Sequence, residues 1–496
     1  MADTLITASL VVPVLGALLL YLFRMEGNYL RWSALILTLV PLASGLVVLF
    51  TIGIGTDGGF AYEEQYGWIP SLGASYHVAL DGLSAPMFFL TALIFPLVVI
   101  FSWDQEHRAR LYFAMFLVLE TAVLGVFASL DYLLFYIFWE FVLIPMFFII
   151  AIWGGDNRRY ASIKFLLYTF LASVVMLIGF MALYFQAAPA LGHRSFDMLE
   201  IASVGSAFGR TFQLVIFGCL FVGFAVKMPS VPFHTWLPDA HVQAPTGGSV
   251  VLAAVLLKMG SYGLLRTAFP TLLEGTAGWV PIMATIGIVS IVYGAFLALA
   301  QQDLKSMIAY SSISHMGAVL LGMATLTTLG ITGAIYMMLA HGLISAMLFM
   351  SAGVVQHHTG TRLIDKLGGL ANAEAMPIAS AITLFAYLAS LGLPGLAGFV
   401  AELTIFLGTW QAFGWWVLLP LVALVVTAGY YLYAFQRAYH GPPQEHVHVH
   451  GDIRWYEFVP MFLLALATFA FGVWPALGAQ SMGEYARQLV ALFGGA

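Results

Sequence analysis

Leu133 to Trp153 is an apolar stretch with a single charge in it, about the length that crosses the hydrocarbon core of a bilayer as a helix, and similar stretches recur along the whole chain. With 61% of 496 residues hydrophobic and 8% charged, there is too little charge to make a surface for water; soluble domains carry roughly 25%. A transmembrane β-barrel would show short segments of alternating polarity instead of continuous runs. The fold class expected is therefore an all-α polytopic membrane protein.

Fourteen spans are expected, near 5–23, 32–52, 83–103, 111–130, 132–153, 163–186, 211–236, 249–269, 278–300, 306–326, 329–355, 378–408, 412–436 and 456–478. Met1 to Thr4 enter the first run with no basic segment and no small-residue cleavage site, so the first run reads as a retained helix. If the N-terminus is outside, Arg24, Arg31, Arg108, Arg110, Arg158, Arg159, Lys164, Lys305, Arg362, Lys366, Arg437 and Arg454 belong to inner loops and span ends. Arg194, Arg210, Arg266 and Arg487 are then outer. Twelve against four fixes that orientation by the excess of Lys and Arg on the inner side, and it puts both termini outside. The loop 53–82, with Asp57, Glu63, Glu64 and Asp81 and no Lys or Arg, suits the outer face.

Sixteen of the eighteen basic residues are thereby placed; the other two, Lys227 and Lys258, fall inside apolar spans, as do Glu120, Glu140 and Glu402 among the acids. An ionisable group at a helix centre costs roughly 2.5–3.5 kcal/mol on insertion scales, so five of them point to a function. Two spans also carry helix breakers beside a charge: Val226-Lys-Met-Pro-Ser-Val-Pro232, and Leu391-Gly-Leu-Pro-Gly-Leu-Ala-Gly398 ahead of Glu402. Broken backbone at membrane depth survives only where protein or a water-filled path satisfies it. The breaks fall in the fourth member of two successive groups of five spans, and an odd number inverts the second copy. Interrupted helices in matching halves mark inverted-repeat transporters with sites near the midplane. The organisation expected is three helices over 1–110, a first five-helix repeat over 111–270, an inverted second repeat over 278–438, and a loop with span fourteen over 439–496.

Burial lowers a lysine pKa and raises that of a glutamate, while an opposite charge nearby pushes each the other way, so a Glu–Lys pair such as Glu140 and Lys227 is switched by moving either partner. The competing reading is a static ion pair that locks the bundle. Glu120 fits proton transfer or a protonated carboxyl bonded to a neighbouring helix equally well. His315 and His341, near Ser311, Ser312 and Ser345, and His234 after the first break are relay candidates, because imidazole titrates near neutrality; each also fits a neutral ring bonded to a backbone carbonyl. His241 reads as part of the inner loop. His446, His448 and His450 alternate with valines and would share one strand face; a zinc site there competes with a solvated loop, favoured because no acid or cysteine completes a ligand set. The site residues include no metal ligands. One cysteine, Cys219, excludes an intrachain disulfide and a cysteine-held cluster, and no Gly-rich dinucleotide fingerprint or haem motif occurs.

The stretch from Gly223 through Lys227-Met-Pro-Ser-Val-Pro-Phe-His234-Thr-Trp-Leu-Pro to Thr246, continuing through Lys258-Met-Gly-Ser-Tyr-Gly, closely resembles the signature of the antiporter-like subunits of respiratory complex I. Phe138-Trp-Glu140, the run Asp303 to Gly317 and His341-Gly-Leu-Ile-Ser resemble it too, and the likeness extends over nearly the whole chain. The resemblance implies a glutamate–lysine pair at Glu140 and Lys227, a central lysine at Lys258 and an exit-side group at Glu402, with the first repeat as the proton-input half and the second as the output half. Glutamate at that last position resembles the M-type, or subunit 4, chain; the L-type and N-type chains carry lysine. It further implies proton translocation within NADH:quinone oxidoreductase of a bacterial inner membrane, with L-type and N-type subunits as neighbours. NADH, FMN, iron–sulfur clusters and quinone would be handled by other subunits, with no cofactor on this chain and no nucleic-acid partner. Subunits of cation/proton antiporters and membrane-bound hydrogenases form the nearest rival, and a structural spacer with static ion pairs is a rival of another class.

Overall fold

The structure, a computed structural model, describes residues 4–52, 59–372, 374–442, 444, 449 and 451–494. His446, His448 and His450 lie outside the described residues. The helices are α1 (Leu5–Leu22), α2 (Gly27–Thr51), α3 (Ser84–Phe101), α4 (Ala109–Ala128), α5 (Tyr132–Trp153), α6 (Arg158–Leu191), α7 (Arg210–Lys227) and α8 (Trp236–Gln243). They continue with α9 (Thr246–Thr271), α10 (Leu273–Leu299), α11 (Leu304–Ala324), α12 (Thr328–Thr359), α13 (Pro377–Ser390), α14 (Ala397–Phe413), α15 (Leu418–Tyr439), α16 (Trp455–Val473) and α17 (Ala476–Ala491).

Among the described residues, thirteen helices are long and apolar enough to cross a membrane, counting Ala397–Tyr439 as one. An interruption at Gly414–Val417 divides that segment, and α15 turns back: the carbonyl of Tyr439 at its end accepts a 2.9 Å bond from Ala371 N, just before α13 begins. Fourteen passages result, as the sequence reading expects.

Both interruptions are real. The first helix stops at Lys227, earlier than the expected 236, and resumes only at Trp236. The second stops at Ser390 and resumes at Ala397. The longer piece comes first in the one and second in the other, the order that inverted copies present.

The bundle is apolar outside and polar within, because its outer solvent is lipid. Leu18, Trp32, Leu171 and Val425 point outward, while α9 is wholly buried and α11 and α12 almost so. Small residues let these helices approach one another: a Cβ on Gly287 of α10 would lie 2.9 Å from Leu321 N of α11.

Three features depart from expectation. The loop between α2 and α3 is not irregular: Ala61–Ile69 and Ala74–Leu80 form a two-stranded antiparallel hairpin. The Glu64 carboxylate from this hairpin is buried and accepts from Ile6 N and Thr7 N at 3.1 Å, capping α1. A further helix, α17, follows the last span and returns to the hairpin side, where Gly82 sits so close to Ser481 that a Cβ would meet its carbonyl at 2.1 Å. Both described ends of the chain therefore share the hairpin face. Finally, Arg266 and Lys305, assigned to loops and span ends, are buried.

Candidate functional site

The wholly buried α9 carries Lys258 at its middle. The helix is wound as a π-turn over Leu252–Leu256, immediately before the lysine, and again over Leu264–Ala268. Such turns cluster at functional positions because they turn backbone carbonyls out of the regular ladder. Here Lys258 Nζ donates to the Ala253 carbonyl. Two residues on, Gly260 lets α9 lie directly against the end of α7: a Cβ there would stand 2.4 Å from Phe224 O and 2.8 Å from Met228 N.

From Lys258 a run of polar contacts leads into the second half of the bundle. Lys258 Nζ lies 2.7 Å from His341 Nδ1 on α12. The His341 and His315 rings are 5.3 Å apart between centroids, which brings in α11. His315 Nε2 is 3.3 Å from Ser390 Oγ, at the last residue before the second break, and His315 Nδ1 is 3.8 Å from Glu402 Oε1 on α14. Ser390 Oγ bonds to Tyr431 Oη at 2.9 Å, and Tyr431 Oη to Ser311 Oγ at 3.0 Å, so α15 and α11 close the polar patch. The broken backbone has a direct part in this: Gly392 takes φ +79°, and a Cβ there would lie 2.2 Å from Glu402 Oε2. A Cβ there would displace the carboxylate from its present place against the break.

The first half is arranged differently. Lys227 is buried at the very end of α7, its ammonium 5.6 Å from the Trp139 ring centre and 5.4 Å from that of Phe165. Glu140 follows Trp139 on α5, half-buried, with its carboxylate lining an apolar recess of about 530 Å³ between α5 and α6. Lys227 acts on Glu140 through space, yet no contact within 4.0 Å joins them, and neither Lys227 Nζ nor Glu140 Oε1 has a hydrogen-bond partner among the described residues. The expected pair is thus an electrostatic neighbourhood, with no bonded lock. Glu120 is fully buried in α4, both its carboxyl oxygens likewise without a protein partner. His234 sits in the break with its ring against Tyr293, at 5.7 Å; no bond to Lys227 is formed.

Two groups escaped the sequence reading. His241, placed there in an inner loop, is fully buried in the short helix α8, stacked on Phe349 at 4.4 Å, with neither ring nitrogen bonded to a protein group among the described residues. Lys305 is buried beside it and donates to the Ala244 carbonyl at 2.5 Å, capping the end of α8. The α8 helix is only eight residues long and lies among polar residues, so hydropathy hides it. The proline run that breaks α7 was the available signal that the chain re-enters the protein there.

A many-spanned bundle whose titratable groups form a buried row across its middle, hinged on two broken helices, defines an antiporter-like membrane subunit. Residues 129–428 match the family described as NADH:quinone oxidoreductase/Mrp antiporter, TM, and the chain belongs to that family. It is 41% identical to the F420H2 dehydrogenase subunit M of Methanosarcina mazei over 93% of this chain and 99% of that one. It is likewise 41% identical to the NADH-quinone oxidoreductase subunit M of Rhodobacter capsulatus, covering 93% of this chain and 90% of the relative. Among solved structures, respiratory complex I from Thermus thermophilus with bound NADH contains a chain that matches with a TM-score of 0.89 and 29% identity over the full length of both.

Proposed function

We propose that this chain carries protons across the membrane as the M-type subunit of a multi-subunit, redox-driven quinone oxidoreductase. The observation that carries the reading is the continuous run Lys258–His341–His315–Glu402, four titratable groups on four different helices, ending on the broken one. Proton transfer along such a run needs only side-chain rotation and water, and no cofactor.

Lys227 and Glu140 act as the control element of the input half. When Glu140 swings toward Lys227 the lysine keeps its proton; when it swings away, toward the recess on the outside of the bundle, burial drives the proton off and onward to Lys258. The half-buried position of Glu140 leaves it addressable by an adjoining subunit of the L or N type. His241 and Lys305, on the side away from the hairpin, belong to the input route, and Glu402 to the exit toward the hairpin face. In a bacterial inner membrane that face is the outer one. The relatives named above keep a subunit M while their electron donors differ by name, F420H2 in one and NADH in the other. That difference supports placing the donor on other subunits, and the proposal places flavin, clusters and quinone there as well.

The test is Lys258→Ala in the assembled complex, reconstituted into vesicles, with proton uptake and quinone reduction measured together. Pumping should fall several-fold. An assembled variant that pumps and reduces quinone at full rate would sink the proposal.

A further inference from the structure

At the face opposite the hairpin, the end of α12 meets the start of α16 and the end of α3. His357 and His358 occupy the last turn of α12, and Glu457 the first turn of α16. One oxygen of the Glu457 carboxylate lies 2.8 Å from His357 Nδ1 and the other 2.9 Å from His358 Nε2; the ligand atoms of the three residues fall within 4.8 Å of one another. Glu457 and His358 are 3% and 2% exposed, whereas His357 is 40% exposed, so the cluster is built into the protein on one side and reachable on the other. A recess of about 160 Å³ lined by Ser102, Asp104, Gln105, His357, Tyr456 and Glu457 opens onto it.

We infer that His357, His358 and Glu457 form a binding site for a divalent transition metal of the zinc class. Two imidazole nitrogens and one carboxylate are a donor set that suits zinc and its neighbours. Asp104 adds a second carboxylate beside the cluster: its Oδ2 is 3.7 Å from His357 Nε2, the ring nitrogen turned away from Glu457. The nearby Arg454 side chain does not fill the place. Arg454 meets Glu457 through its backbone N–H at 2.8 Å, while its guanidinium donates to the Tyr456 hydroxyl at 2.6 Å. Two carboxylates, Glu457 and Asp104, then face one guanidinium, and an incoming dication is balanced. A bound ion would tie the start of α16 to the end of α12, the helix that also carries His341.

The experiment strips the assembled complex with a chelator, adds zinc chloride, removes free metal by gel filtration and counts zinc by mass spectrometry. Wild type should retain one zinc more than His357→Leu and His358→Gln, with a zinc absorption-edge spectrum showing nitrogen and oxygen neighbours at about 2.0–2.1 Å. His357→Asn, which keeps a donor toward Glu457, guards against failed assembly, with quinone reduction as the readout that the complex is intact. Equal zinc content in wild type and in intact His357→Asn complex, or no retained zinc in wild type, would overturn the assignment.

Discussion

Lys258 and His341 meet nitrogen to nitrogen at 2.7 Å across the interface of α9 and α12, so two basic groups share a space fit for a single proton. Both being charged would put like charges in contact inside the bundle, so at least one partner is neutral and one N–H is shared between the two nitrogens. A contact that carries at most one positive charge suits a transfer point.

His341→Gln keeps a polar side chain and removes the titratable one. Proton uptake by vesicles carrying the variant complex should drop several-fold while assembly, judged by native gel, is kept. Unchanged uptake would remove His341 from the path.

Gly392→Ala should push the Glu402 carboxylate from its place against the break. The added Cβ would stand 2.2 Å from Glu402 Oε2, and a positive φ adds about 1 kcal/mol of backbone strain. We expect a lowered unfolding temperature together with impaired pumping. Gly395→Ala is the matched control, since Gly395 also has positive φ, +92°, but nothing lies within 4 Å of its Cβ position. It should lose stability and keep pumping; equal pumping defects in both would show that Glu402 is not the cause.

Much of this site was legible before any coordinates because lipid penalises charge so heavily. Lys227, Lys258 and Glu402 stand out as isolated charges in apolar runs, and the proline and glycine clusters beside two of them give the breaks. His241 and Lys305 were not legible, because both sit near span ends, where a charged or polar residue ordinarily reaches water. Their burial depends on α8 folding back under α11, a tertiary fact with no local signature. The hairpin was missed for a similar reason. Its strands alternate only loosely, and their order comes from contacts made elsewhere, with Glu64 on α1 and His77 on Asp197.

Arg266 and Asp81 form a buried ion pair at 2.5 Å near the hairpin face, with Tyr262 and Tyr485 against the guanidinium. Arg266→Met alone strands the carboxylate and should cost about 3–5 kcal/mol. Arg266→Met with Asp81→Leu removes both charges and should recover much of that loss in thermal unfolding of the detergent-solubilised protein. A double variant as unstable as the single would show that the two residues do not act as a pair.

The hairpin should respond to pH through His77, which lies 2.5 Å from Asp197 and 2.9 Å from Glu63. Burial pulls the His77 pKa down, but bonds to Asp197 and Glu63 outweigh it and raise it above the ordinary 6.5. Burial likewise pushes Asp197 up, and the His77 bond outweighs it, leaving Asp197 below the ordinary 3.8. The His77 contribution is complete below 6.5 and is lost as pH rises through the raised value; the Asp197 contribution is complete above 3.8 and is lost as pH falls through the depressed one. Docking should therefore be firmest between those limits. Amide exchange in the hairpin, corrected for intrinsic pH dependence, should speed up on the alkaline side in wild type and not in His77→Gln.

The aromatic walls around Lys227 bear on a problem that every pump faces, which is leakage. Each 100 mV across the membrane drives a unit charge with about 2.3 kcal/mol, and a conductor open from face to face would discharge it. Here the wired segment begins only at Lys258, and the lysine before it looks onto the rings of Trp139 and Phe165. On the proposed route, these rings stand where the two segments would have to be joined. Trimming that insulation, as in Phe165→Ser, should let vesicles lose an imposed pH gradient faster with no electron donor present, a cost invisible in any assay of the forward reaction alone.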